Sequence, residues 1–303
     1  MIISASRRTD IPARFPEWFM NRIRAQYVLV RNPFNPHQIN RRDLSRSAVD
    51  CIAFWTKNAA PIMVYLDELD ALGYPYYFQF TVTGYGTDLE PNLPSKDEII
   101  DTFIALSQKI GREKVIWRYD PIVLTERYTI DWHIQTFKNL CKKLSPFTEK
   151  CVISFIDLYE KTKRNTAKIG AKSPTISDIR TMVQAFIKCG FPIETCAEAI
   201  DLSEFGIKPA RCIDSDLIAR ITGHHLQLKK DKFQRKECGC MESKDIGMTD
   251  SCPNGCLYCY ANQNADRVRR NVRQLNPDSP LLFGEVGTND KIFETKEKEQ
   301  GFL

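Results

Sequence analysis

Short apolar runs alternate with amphipathic stretches across residues 1–200. Ile2 to Ser6 leads through polar Arg7-Arg8-Thr9-Asp10 into Glu17 to Ala25, where Trp18, Phe19, Met20 and Ile23 recur at helical spacing. Further apolar runs follow at Tyr27–Val30, Cys51–Trp55, Tyr76–Val82, Val115–Trp117, Cys151–Phe155 and Pro192–Cys196. Between them, Ile62 to Leu72, Asp97 to Ile110, Ile130 to Leu144 and Ile176 to Cys189 carry the period of helices.

Seven such strands, all but the second followed by a helix-length stretch, predict an α/β chain with a parallel sheet and helical crossovers. The series favours a (β/α) barrel, full or partial, over a doubly wound open sheet. In a barrel the residues that follow each strand share one end, where sites are built. That end is expected to collect Arg7, Arg8, Asp10, Asn32, Lys57, Asn58, Thr83, Tyr85, Arg118, Asp120, Asp157, Glu194, Cys196 and Glu198. Any one of them could serve only as a helix cap or loop anchor. Together, several cations and carboxylates at one mouth are expected to pair with each other or to hold a polar ligand.

The rhythm stops after Cys196. Asp201 to Ile213 reads as loop, Asp214 to Ile221 as a short helix, residues 229–236 as a charged connector, Ala261 to Leu275 as an Arg-rich helix, and Pro277 to Leu303 as a polar tail. The expected division is therefore a barrel over residues 1–200 and a cysteine-rich, metal-binding segment over 201–303 that packs on the barrel mouth.

Composition sharpens this picture only in part. At 303 residues, 43% hydrophobic and 27% charged, the chain has the makeup of a globular protein with a sizeable core. A net charge of +5 suits an anionic ligand or nucleic acid without requiring either. No apolar run reaches transmembrane length and the start lacks a signal-peptide pattern, so a cytoplasmic protein with no membrane partner is expected. In that compartment eleven cysteines argue for metal or redox use rather than disulfides, and with only four histidines any metal centre must rest on cysteine.

Five of the cysteines fall between Glu237 and Asn262. Cys252, Cys256 and Cys259 are spaced C-x3-C-x2-C, which lets three thiolates converge from one tight loop, and Pro253-Asn254-Gly255 shapes a loop rather than a zinc knuckle. Cys51, Cys141, Cys151 and Cys189 lie within apolar patterns and are assigned to the core.

The C-x3-C-x2-C loop, with Tyr258 before its last cysteine, resembles the cluster-binding loop of radical S-adenosylmethionine (SAM) enzymes. The resemblance implies a 4Fe-4S cluster on Cys252, Cys256 and Cys259 with one iron open to SAM, Tyr258 against the adenine, and an electron donor such as flavodoxin or ferredoxin. Two departures stand beside it. The loop comes near the end of the chain, as in a circularly permuted barrel, and no Gly-Gly-Glu stretch is present. From ISASRRTDIPA through NPFNP, FWTKN, WRYDPI and SFIDLY to CPNGCLYCYAN, the whole chain resembles the "domain of unknown function 1848" family, which implies the cysteine cluster but no substrate.

Cys238 and Cys240 admit two readings. One of them could close the first cluster as a fourth ligand, or both could join Cys196 and Cys212 in a second four-cysteine site holding 4Fe-4S or Zn; the second is preferred. The expected function is an iron-sulfur, SAM-dependent radical enzyme acting on a small-molecule or nucleic-acid substrate, polar or anionic. Arg7, Arg8, Lys57 and Arg118 would bind anionic groups, and Asp10, Asp120 or Glu198 would position groups or handle protons. The alternatives are a fully ligated iron-sulfur or Zn protein with a redox or nucleic-acid role, and a barrel hydrolase or lyase with structural Zn.

Overall fold

A computed structural model describes residues 1–158 and 165–294. Six of the seven expected runs enter one sheet: β1 (Ile2–Ala5), β4 (Cys51–Thr56), β5 (Tyr76–Thr81), β6 (Val115–Ile122), β7 (Cys151–Phe155) and β8 (Ile193–Thr195). Two-residue strands β9 (Lys208–Pro209) and β10 (Lys244–Asp245) complete it. The order is β10-β1-β4-β5-β6-β7-β8-β9 and every pairing is parallel. The architecture is thus α/β with a large parallel sheet, and among the described residues its edge strands β9 and β10 do not pair with each other.

The second apolar run departs from expectation. Tyr27–Arg31 (β2) lies in a separate sheet, antiparallel to β3 (Gln38–Asp43), with β11 (Lys291–Glu294) on the far edge. The six residues between β2 and β3, with Pro33 and Pro36 among them, are too few for a parallel crossover, which needs a dozen or more. A hairpin is the remaining option, and it places Asn32 away from the cavity described below. The polar β3 was not recognisable as a strand, and β11 lies within what reads as a tail; residues 295–303 of that tail are outside the described residues.

Alternation along the strands divides the sheet into two buried faces, as a parallel sheet requires. Ile52, Phe54, Phe78, Phe80, Trp117 and Ile153 point to the helices. Phe54 stacks on Phe78 at 4.8 Å and is met edge-on by Phe19, and Trp117, Phe137 and Phe186 form a second stack. The covering helices are α1 (Ile11–Arg14), α2 (Pro16–Ala25), α3 (Ala60–Met63), α4 (Leu66–Ala71), α5 (Lys96–Ile110), α6 (Ile130–Leu144) and α7 (Ile176–Phe186). Capping boxes at Ser95/Glu98 and Thr175/Asp178 start α5 and α7 where the sequence changes period.

The other face carries Ala53, Tyr77, Ile116 and Val152 and is covered by the chain after β8, which includes Cys212, Cys238 and Cys240. The later elements are α8 (Ser215–Thr222) and α9 (Ala265–Arg273). Residues 277–283 return to the opposite side, where Trp18 Nε1 donates to the Ser279 carbonyl at 2.9 Å and Phe15 meets Phe283 edge-on. Among the described residues no helix is long and apolar enough to cross a membrane.

Candidate functional site

A cavity of about 430 Å³ opens at the carboxyl ends of the strands. Its walls include all seven cysteines expected to bind metal: Cys196, Cys212, Cys238, Cys240, Cys252, Cys256 and Cys259. Arg7, Arg8, Asp10, Lys57, Arg118, Asp120 and Tyr258 line it too. Glu198 lies behind this wall, where it accepts from the Phe155 amide at 2.9 Å and burial raises its carboxyl to about 7.

Parallel pairing of β10 with β1 delivers the cysteine loop to the cavity. The Asp245 carboxylate at the end of β10 accepts from Ser6 Oγ at 2.7 Å, the Arg7 amide at 2.8 Å and Arg8 Nε at 3.2 Å. Gly247 then passes so near β1 that an added Cβ would lie 2.0 Å from Ser6 Oγ, which no side chain tolerates. Next, Asn254 Nδ2 donates to Asp10 at 3.0 Å while its Oδ1 accepts from Arg14 at 2.6 Å. Gly255, at φ +71, turns the chain in the left-handed region. Asn92 holds the Pro253 carbonyl at 2.8 Å, and Leu257 N donates to the Leu89 carbonyl at 3.0 Å. The loop is thereby fixed to the ends of β1 and β5.

Asp10 is the anchor of this arrangement. Besides Asn254 it accepts from Thr56 Oγ1 at 2.7 Å, the Lys57 amide at 2.8 Å and the Ala13 amide at 3.1 Å. Burial pushes its carboxyl up, and these hydrogen bonds oppose the rise. With its oxygens so engaged, Asp10 ties the end of β1 to the end of β4 and to the cysteine loop.

A second network surrounds Tyr258, 7% exposed. Its hydroxyl donates to Glu90, which also accepts from Thr83, from Lys57 at 2.9 Å and from Lys96. Burial works against the Glu90 carboxylate, yet the two ammonium groups win and hold it down at about 2. The Tyr258 ring lies 5.7 Å from that of Tyr85 and 5.4 Å from the Lys57 ammonium. Glu90, Lys96 and Asn254 are site residues that sequence reasoning missed. Only Asn254, inside the C-x3-C-x2-C loop, carried a usable signal.

The expected pairing of charges at the mouth is found. Arg118, 3% exposed, forks onto Asp120, which also takes a hydrogen bond from Ser154. Arg8 pairs with Asp245 at 3.2 Å and Lys57 with Glu90 at 2.9 Å. Arg7 has the longest of these contacts, 4.0 Å to Asp231, and its buried Nη2 has no hydrogen-bond partner among the described residues. The guanidinium groups of Arg7 and Arg118 lie 5.1 and 5.3 Å from the Trp55 ring. Trp55 is therefore a platform between two cations.

The thiols fall into two sets. Cys252, Cys256 and Cys259 influence one another, and burial raises all three, Cys252 to about 12. Cys196 Sγ and Cys212 Sγ lie 3.5 Å apart, and Cys238 and Cys240 sit in the same wall and pack in the same cluster as Cys212. All eleven cysteines are free. Among the described residues, no three His, Cys, Asp or Glu side chains converge closely enough to hold a single metal ion. The donor chemistry still fits an iron-sulfur cluster, whose thiolates are spread over several irons. Cys51 and Cys151 are fully buried and lie outside the cavity wall.

Of the remaining residues expected at the mouth, Asp157 lines the cavity and pairs with Arg235. Tyr85 and Thr83 support the wall through Tyr258 and Glu90, and Glu194 pairs with Lys150 at 2.8 Å away from it.

Residues 2–261 match the model of the family described as "Domain of unknown function (DUF1848)", and the chain belongs to that family. No curated protein matches it. A solved structure similar to part of the chain is that of a candidate alpha-L-fucosidase from Bacteroides thetaiotaomicron VPI-5482, at 11% identity, covering 76% of this chain and 86% of that one, with a TM-score of 0.24.

Proposed function

We propose that this member of the DUF1848 family is an iron-sulfur, SAM-dependent radical enzyme built on a permuted partial barrel and acting on a polar or anionic substrate. The observation that carries the reading is the placement of the C-x3-C-x2-C loop. It follows β10, the neighbour of β1 at the sheet edge, and opens onto the cavity at the strand carboxyl ends. Position in space, rather than in sequence, then agrees with a loop that follows an edge strand of a barrel.

Cys252, Cys256 and Cys259 would hold the cluster, which when bound supplies the electron that cleaves the SAM sulfonium. The protein's own groups do the rest. Tyr258, fixed through Glu90, offers a ring face for an adenine, and Lys57 adds positive charge beside Cys256. Arg7, with its unsatisfied Nη2, is the group best placed to take an anionic substituent of the substrate, since Arg8, Lys57 and Arg118 already have close carboxylate partners. Apolar walls from Trp55, Phe155 and Ile156 limit water around a reactive species. Cys238 and Cys240 pack with Cys212 on the sheet face and not with the C-x3-C-x2-C loop, which favours a first cluster with three protein ligands.

Anaerobic reconstitution, reduction with dithionite and addition of SAM provide the test. SAM should perturb the electron paramagnetic resonance of the reduced cluster even before any substrate is found, and 5'-deoxyadenosine should accumulate. An intact cluster whose spectrum is indifferent to SAM, with no 5'-deoxyadenosine, would sink the proposal.

A further inference from the structure

We infer that Cys196, Cys212, Cys238 and Cys240 hold a second 4Fe-4S cluster, fully ligated by protein thiolates, in the wall of the same cavity. The four come from three stretches that the fold ties together. Cys196 N donates to the Ile153 carbonyl at 2.9 Å, which fixes the turn after β8. The Cys212 carbonyl accepts from Tyr77 Oη at 2.8 Å and Gln79 Nε2 at 2.9 Å, two side chains on the inner face of β5. Asp231 N donates to the Cys240 carbonyl at 2.9 Å, and Met241 N to Ile213 at 3.0 Å. These hydrogen bonds satisfy buried backbone groups and in doing so fix where the thiols sit.

Cys196 Sγ and Cys212 Sγ lie 3.5 Å apart, Cys238 and Cys240 line the same cavity wall, and among the described residues no three such side chains converge on one point. A single Zn ion would draw four sulfurs around one point, whereas a cubane distributes them over separate irons. Four thiols in one wall without a common centre suit the cubane.

A hydrogen bond points the same way. Arg118 Nη1 donates to Cys212 Sγ at 2.9 Å from a buried position. With its charge paired to Asp120, this guanidinium still has an N–H to give to sulfur, the kind of outer hydrogen bond that orients and stabilises a thiolate ligand.

The inference uses none of Cys252, Cys256 and Cys259, so it stands or falls separately from the SAM reading. Full-length protein with Cys252→Ala, Cys256→Ala and Cys259→Ala together, reconstituted anaerobically, should retain about four irons and about four sulfides per chain, against about eight of each in the parent. Its Mössbauer spectrum should be that of a 4Fe-4S cluster. Loss of all iron from this variant, or retention of one zinc in its place, would overturn the inference. Iodoacetamide mapping of the unmutated holo-protein gives a readout independent of folding defects. Protection of Cys196, Cys212, Cys238 and Cys240, lost on iron chelation, is expected; alkylation of all four in the holo-protein refutes the second cluster.

Discussion

Cys252, Cys256 and Cys259 come from one loop whose spacing alone brings them together, whereas Cys196, Cys212, Cys238 and Cys240 are gathered from three stretches by the strands between them. The first set is pinned to the protein by its neighbours: Asn254 on Asp10, Tyr258 on Glu90, Leu257 on the Leu89 carbonyl. The second is pinned through its own backbone and by a guanidinium on sulfur. A ligand set made by a local motif can be carried to a new place in the chain as a unit. One made by the fold cannot move without the sheet.

The sharpest way to break this comparison is Cys256→Ala. It should abolish 5'-deoxyadenosine formation altogether while leaving about half of the iron, as read by product chromatography and iron assay. Unchanged iron would mean that the loop is not a ligand set. Arg118→Ala should act on the other set and on the fold at once, because it leaves Asp120 without its cation in a buried wall. A loss of about 3–5 kcal/mol in urea unfolding is expected, with Arg118→Lys restoring part of it.

His133 provides a reference outside both sets. Burial keeps it neutral, lowering its pKa to about 4, and its ring bonds to Tyr119 Oη at 2.7 Å and the Val123 carbonyl at 3.1 Å. Because the folded value lies below the unfolded one, its contribution is complete above about pH 6.5 and is lost as pH falls towards 4, a difference of about 3 kcal/mol. Urea unfolding across that range should show a shallower pH slope for His133→Gln than for the parent, with iron content unaltered. Smallest of all, Cys51→Ala should cost about 1 kcal/mol and no iron, since its burial in the sheet is packing alone. If it removed iron, the division between core and cavity cysteines would be wrong.

Much of this was legible in the residues. Six runs of the parallel sheet and the helices between them announce themselves by period, and the polar residues after β1, β4 and β6 reach the cavity because parallel strands end on one side. The second run misled because Tyr27–Val30 looks like its neighbours, and only the short proline-bearing link to β3 marks it as a hairpin. Strands β9 and β10 were hidden for a different reason. Two-residue strands carry no pattern, and their pairing is decided by the sheet edge they meet. Glu90 and Lys96 were equally silent, since a carboxylate in a polar loop and an amine in the first turn of α5 look solvated until Tyr258 arrives from more than 160 positions away.

Pairing of β10 with β1 also has a consequence in time. The strand that covers the edge of β1 is made some 240 residues after β1 itself. At about 5–20 residues per second this is a delay on the order of tens of seconds. Helices and central strands can assemble in that interval with one edge bare, and the C-x3-C-x2-C thiols emerge only when a nearly finished sheet is there to receive them. Synthesis order thus shortens the time that these thiols spend exposed before they are enclosed.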